Sequence, residues 1–211
     1  MLLYLPNRNE VKSKKMEKLK KMEKLKKILF YIQFIRFIPH IIILMFNKNN
    51  IIYDDAKVWA KRYRLNGKEL FLILYLLNKY KEFRNIFYYR VRFAKLFKVL
   101  APGLDTLYIE TQKIGKGLFI QHGFSTIITA ESIGENCWIN QQVTIGWTAA
   151  GAPVIGDNVR FGAGAIVIGN ITIGNNSTVG AGTTVNTSIP ENALVVGAKP
   201  RVIENHIVEK Q

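Results

Sequence analysis

The sequence predicts an α+β chain, a helical N-terminal domain followed by a parallel β-helix of six-residue repeats. Two observations carry this. From Ile155 onward apolar residues return every six places, at Ile155, Phe161, Val167, Ile173, Val179 and Val185, with glycine following four of them. The same step runs earlier through Ile114, Ile120, Ile127, Ile133, Ile139 and Ile145, broken by one extra residue before Ile127 and by four between Ile145 and Ile155. A period of six matches neither the 3.6 of a helix nor the 2 of an alternating strand, so each hexad reads as a short strand plus a corner, three to a coil. The second observation is charge. Residues 1 to 100 hold 24 Lys/Arg against 7 Asp/Glu, a net of +17, and the remainder is net −2. The chain therefore divides into a basic module and a nearly neutral coil.

Residues 1–27 read as a basic arm in which MEKLKK occurs twice in tandem, from Met16 and from Met22. Apolar residues three apart drift around a helix, which predicts a solvated, partly helical, flexible segment. Residues 28–104 read as the helical domain. In Ile28 to Phe46, fifteen of nineteen residues are hydrophobic, but Gln33, Arg36, Pro39 and His40 interrupt the centre. A bilayer span needs about twenty apolar residues and a central arginine costs about 2.5–3.5 kcal/mol. The segment is expected instead to pack against other helices and a neighbouring subunit, or to rest as a basic surface on anionic lipid. No small-residue cleavage site follows it, so no secretory signal is expected. Basic and aromatic residues interleave from Phe83 to Arg90, where core aromatics are a better reading than nucleic-acid stacking.

Residues 105–190 form the coil, read as roughly four turns from Ile114 to Pro190, with residues 191–211 as a tail that closes it. A second inward position falls four places after the first, at Val159, Ala165, Ile171, Ser177 and Thr183. Corners come as Glu135-Asn136, Asp157-Asn158, Gly169-Asn170 and Asn175-Asn176, residues that tolerate positive φ. The lone cysteine, Cys137, excludes an intrachain disulfide framework, fits a reducing compartment and reads as a small inward filler.

The chemistry has to come from the coil, whose one histidine, His122, sits beside Gly123 just before the first break. An imidazole suits removal of a hydroxyl proton near neutral pH. The ordered set Gly117 to Gly123, Gln141 to Thr148, Ala152 to Gly156 and Gly162 to Ala165 resembles the serine acetyltransferase branch of the left-handed β-helix acyltransferases, over about residues 105 to 205. The segment Glu82 to Arg90 is similar to one in relatives linked to surface polysaccharide synthesis. The resemblance implies a left-handed coil, a homotrimer with sites between subunits, further assembly through the helices, and acetyl-CoA as co-substrate without a metal. It makes His122 the general base and sets backbone N–H groups near Gly146 and Trp147 to stabilise the oxyanion. It places Thr148, Ala163, Gly164 and Ala181 along the acetyl-CoA path and Lys199 and Arg201 against CoA phosphates or as a cap of the coil.

The departures bear on the acceptor. Serine-specific relatives carry an Asp before the histidine, an orienting Asp one coil earlier, and Asp-Arg-His-Pro ahead of the later hexads. Here those places hold Gln121, Tyr108 (with Glu110 as a substitute) and Ala150-Gly151-Ala152-Pro153. With the carboxylate clamp gone, a neutral sugar hydroxyl of a surface polysaccharide or its lipid-linked precursor is the expected acceptor, held by Gln121, Gln141 and the Trp147 ring. L-serine is the alternative, and a catalytically silent trimeric scaffold a further one. A coil-type carbonic anhydrase would need three clustered histidines, and His40 and His206 lie outside the coil. No nucleic-acid partner is expected. The enzyme is placed in the cytoplasm, with peripheral contact at the inner face of the plasma membrane.

Overall fold

A computed structural model describes residues 8–47 and 51–198. Five helices come first: α1 (Arg8–Ile32), α2 (Ile38–Phe46), α3 (Ile51–Tyr63), α4 (Glu69–Lys79) and α5 (Lys81–Arg90), with 3₁₀ turns at Ile35–Phe37 and Ala94–Leu100. Pro39 falls in the first turn of α2, where its missing N–H has no intrahelical partner to lose. Asp54 opens α3 and Lys61 and Arg62 end it, which complements the helix dipole. Helices α3, α4 and α5 bury one aromatic centre. The Trp59 ring lies 5.3 Å from Phe83, 5.5 Å from Tyr80 and 4.8 Å from Phe119, the last a residue of the coil.

The coil has three parallel sheets. Sheet I stacks β1 (Leu107–Ile109), β3 (Thr126–Ile128), β6 (Thr144–Gly146), β9 (Ile166–Ile168) and β12 (Thr184–Val185). Sheet II stacks β4 (Ser132–Ile133), β7 (Val154–Ile155) and β10 (Thr172–Ile173). Sheet III stacks β2 (Phe119–Ile120), β5 (Trp138–Ile139), β8 (Arg160–Phe161), β11 (Thr178–Val179) and β13 (Leu194–Val195). This makes five layers rather than the four read from Ile114, because β1 adds a rung before that residue and β13 one after Pro190.

Hexad positions point inward as expected, with Ile120, Ile139, Ile145, Phe161, Val167, Ile173 and Val179 fully buried. The second set from Val159 to Thr183 is buried too. Ile127 is the exception. It is 42% exposed while Ile128 is fully buried, and Tyr108 and Thr144 flank it on the outer face. The corner from Gln121 thus takes two extra residues and the next step one fewer, while β3 keeps an unbroken register with β1 and β6; counting alone spread this as a single insertion.

Four corners on one side of the coil are regular. Asn136, Asn158, Asn176 and Asn192 all have φ near +60°, where asparagine is tolerated. Their side chains form a ladder along the coil: Asn158 Nδ2 donates to Asn176 Oδ1 at 3.0 Å, and Asn176 Nδ2 to Asn192 Oδ1 at 3.1 Å.

Helix α5 joins the two parts. Arg84 donates to the carbonyls of Leu77, Asn78 and Pro102, Asn85 to that of Leu104, Tyr88 to Ala101 and Tyr89 to Gln112. Arg90 donates to Ile114 O and Gly115 O, both at 2.6 Å, and pairs with Asp55 at 2.9 Å. Asp55 in turn accepts Leu118 N–H at 2.8 Å, and Trp59 Nε1 donates to Leu118 O at 3.0 Å. Most polar contacts of this segment serve the chain from Ala101 to Leu118 and the rest tie α5 to α3 and to the end of α4, so its aromatics and arginines are structural. Burial pushes the Asp55 carboxyl up, and Arg90 and the Leu118 amide oppose that by holding it charged.

A second polar link is neutral. Tyr88 Oη donates to Ala101 O, so His40 Nε2 must be the donor in its 2.9 Å contact with that hydroxyl. His40 is fully buried and its Nδ1 has no partner. Burial lowers its pKa, and Arg84 and Arg36 add to that shift.

Asp55→Asn leaves Arg90 buried without its counter-charge and is expected to cost about 3–5 kcal/mol in urea unfolding, whereas Asp54→Asn, on the exposed side of α3, barely moves the midpoint. His40 predicts a pH dependence of definite sign. Its native pKa is depressed, so below the unfolded value of about 6.5 the unfolded chain binds a proton that the native chain does not. Stability is full above that value and falls as pH drops through it; His40→Gln, which keeps a donor for Tyr88, removes this share of the slope in unfolding measured across the window.

Candidate active site

The residues singled out by sequence fall on the two edges of sheet I. Along the corner from sheet III to sheet I, His122 has φ +62° and Ser125 φ +51°, and the stacked corners below turn at Gln142, Gly164 and Gly182, all left-handed. Backbone bonds tie them together: Gln142 N–H to Phe124 O at 3.0 Å, Gly164 N–H to Gln141 O at 3.0 Å, and Gly182 N–H to Ala163 O at 2.8 Å. Gln121, His122, Gln141, Ala163, Gly164 and Ala181 therefore line one edge, four rungs deep. Close stacking requires Gly162 beside this edge, where a Cβ would stand 2.5 Å from the backbone nitrogen of Ala181, whereas Gly164 and Gly182 have space around them and answer to their positive φ. His122 is exposed on this edge, and no described residue hydrogen-bonds to its ring. Beneath the corner, Gly123 is packed by Glu82 of α5, Ile120 and Leu107, so the helical domain fixes the bend that presents the imidazole.

The opposite edge, from sheet I towards sheet II, carries Glu110, Thr129, Gly146, Trp147 and Thr148. Tyr108, Glu110, Ile127, Thr129, Gly146 and Trp147 line an open cleft of about 340 Å³. Glu110 Oε2 accepts from Thr129 Oγ1 at 3.1 Å. Gly146 leaves the outer row without a side chain, and Trp147, 68% exposed, rises beside it. The four extra residues after Ile145 form a small hairpin in which Thr148 and Gly151 exchange backbone bonds at 2.9 and 3.0 Å. A second cleft shares Glu110 and adds Gln112, Lys113, Ala130 and Glu131, with a volume of about 310 Å³. Thr129 and Lys113 were missed by sequence reasoning; for Thr129 the signal was the extra residue in the corner before Ile127, which shifts the inward position to Ile128.

The three-residue strands of sheet I rise about 3.3 Å per residue, which sets the two edges about 10 Å apart. His122 and the small-residue column stand on one, and the Gly146–Trp147 turn with Glu110 on the other. Lys199 and Arg201 lie outside the described residues. Among the described residues there is no cluster of three or more His, Cys, Asp or Glu side chains able to hold a metal ion.

The fold is of the bacterial transferase hexapeptide class: that family, described as having six repeats, matches residues 152–187. The chain is more particularly serine acetyltransferase-like. The serine acetyltransferase of Synechococcus elongatus is 43% identical over 96 residues, 43% of this chain and 39% of the relative. That of Staphylococcus aureus is 45% identical over 103 residues, 46% of each. The chain thus spans less than half the length of the curated relatives it matches. Among solved structures, the Brucella abortus serine acetyltransferase has a TM-score of 0.56 at 25% identity, covering 73% of this chain and 67% of that one. The Neisseria gonorrhoeae serine acetyltransferase in complex with serine has a TM-score of 0.54 at 28% identity, covering 72% and 68%. The helical half and the coil are shared together, as a left-handed parallel β-helix behind N-terminal helices.

These similarities overturn the expected polysaccharide acceptor. The matched relatives are serine acetyltransferases, and one matched structure holds serine. The sugar reading rests on the arginine, histidine and carboxylates missing from aligned positions. Glu110, just after β1, nevertheless puts a carboxylate in the cleft beside Gly146 and Trp147.

Cys137 takes no part in either edge. It is fully buried, its Sγ contacts Gly156 O at 3.3 Å, and burial pushes its pKa up to about 12. A thiol-specific disulfide reagent is expected to find no reactive thiol in the native protein and one per chain in guanidinium chloride; a reactive native thiol would show that the coil opens.

Proposed function

We propose that this chain is an acetyl-CoA-dependent L-serine O-acetyltransferase. The observation that carries the reading is the column of His122, Gln141, Ala163, Gly164 and Ala181 on one edge of a coil whose relatives are serine acetyltransferases. His122 Nε2 or Nδ1 removes the hydroxyl proton as the serine oxygen attacks the thioester carbonyl. The tetrahedral oxyanion is stabilised by backbone N–H groups near Gly146 and Trp147, and its collapse breaks the C–S bond. The CoA thiolate then takes the proton back from the imidazolium, so the base is restored in each turnover.

The two edges stand about 10 Å apart on one chain, which supports a homotrimer in which the His122 edge of one subunit faces the Trp147 edge of the next. The column of Ala163, Gly164 and Ala181 leaves room there for the pantetheine arm, with Thr148 beside it and Lys199 and Arg201 as phosphate contacts. Glu110 receives the ammonium of serine. Lys113, lining the adjoining cleft, offers a cation for the carboxylate in place of the arginine and histidine that the loop before Ile155 lacks. Gln121 and Tyr108 complete the polar surface near the imidazole. The reaction belongs to the cytoplasm, where acetyl-CoA is available.

His122→Ala is expected to lower kcat with L-serine by about 10²–10⁴ without changing the circular dichroism spectrum, and Glu110→Gln to raise KM for serine more than it lowers kcat. The decisive assay is CoA release with acetyl-CoA and L-serine. No turnover by wild type, with CoA bound, would sink the serine assignment, and failure to bind CoA would leave the coil as a scaffold.

A further inference from the structure

Helix α2 and the 3₁₀ turn that leads into it are apolar on two sides. One side faces the core through Phe37, His40 and Leu44, all buried. The other presents Ile35, Ile38, Ile42 and Met45, spaced three, four and three apart, at 62%, 53%, 50% and 73% exposure. Phe46 follows at 84%, and it shares a hollow with Ile43, Asn47, Arg92 and Phe93. The hollow carries the surface on to the second 3₁₀ turn, where Leu96 and Val99, each directly after a lysine, Lys95 and Lys98, are 73% and 85% exposed. This is a connected set of large apolar side chains, beyond the scatter ordinary on a soluble surface.

Its surroundings are strongly cationic. Immediately before the stripe, α1 exposes Lys15, Lys18, Lys20, Lys21, Lys24 and Lys26 against only Glu17 and Glu23. The Arg92 guanidinium lies 4.7 Å over the Phe93 ring, an arrangement that keeps a cation at the rim of apolar surface. No helix among the described residues is long and apolar enough to cross a membrane. Apolar residues at the depth of one helix face, rimmed by lysine and arginine, match an interfacial surface.

We infer that the face formed by α2 and the second 3₁₀ turn docks on an anionic lipid bilayer, with the α2 stripe and Phe46 entering the headgroup boundary and the lysines of α1 pairing with lipid phosphates. This is independent of the acetyl transfer proposed above, since the face lies outside the residues assigned to that reaction.

Flotation of the full chain with vesicles tests it, using phosphatidylcholine alone and phosphatidylcholine mixed in equal parts with phosphatidylglycerol. Binding is expected on the mixed vesicles, not on the neutral ones, and to weaken as salt is raised. The variant Ile38→Gln/Ile42→Gln/Met45→Gln, and separately Lys20→Gln/Lys24→Gln, should each lower binding about tenfold or more while leaving assembly mass and helix content unchanged. Equal binding to neutral vesicles, or undiminished binding by the apolar variant, overturns the inference. So does absence of vesicle binding together with a smaller assembly in that variant, which would mean that a second copy covers the stripe. CoA release with L-serine, measured on the same variants in solution, reads the other proposal separately.

Discussion

The buried pair Asp55–Arg90 is the constraint on which the rest of the architecture rests. A parallel coil satisfies its backbone with the rungs above and below, so its first rung has no earlier rung to bond with and would leave N–H and C=O groups exposed. Arg90 takes the carbonyls of Ile114 and Gly115, Asp55 the amide of Leu118, and Trp59 the carbonyl of Leu118. Each partner also cancels the other's charge, which neither could sustain alone at this depth. The helical domain is thus a cap on the coil, held by groups whose burial makes the contact intolerant of loss.

The cap also reaches the site. Glu82 of the same helix that carries Arg90 packs against the turn at Gly123, next to His122, with Leu107 of the first strand. A left-handed residue with a full side chain, such as His122 at φ +62°, persists only where its surroundings over-determine it. Here they do, through the packing beneath Gly123 and the bonds that stack each corner on the next. The opposite edge is shaped by a different device, the hairpin between Thr148 and Gly151, which follows Trp147 beside Gly146. Both features arise where the six-residue step is broken.

Much of this was legible because a hexad is a local rule. Inward positions, the left-handed asparagine corners and the general place of the helices follow from residue type at a given spacing. The misread residue, Ile127, is instructive. Ile127 and Ile128 are chemically equivalent, so spacing could not say which enters the core; the longer corner after Gln121 chose Ile128 and turned Ile127 outward. That choice sends the Thr129 row to the outer face, where its hydroxyl meets Glu110, and so bears on the acceptor. The sugar acceptor was inferred from positions emptied of charge; aligned positions offered Glu110 as the substitute carboxylate, but only the stacking of β1 on β3 set it in the cleft against Thr129.

The sequence by itself determined the coil, its boundary with a basic helical module, and His122 as the histidine that the coil presents, because periodicity, charge and the scarcity of histidine need no knowledge of contacts. Only the tertiary structure decided the roles of Glu82 to Arg90, since hydrogen bonds from Arg84, Asn85, Tyr88, Tyr89 and Arg90 to carbonyls as many as 25 residues away leave no trace in local composition. It alone also separated the candidate site into two edges of one sheet. Residues close in a motif can stand on opposite sides of a strand's length, and that distance is set by the fold rather than by the order of the chain.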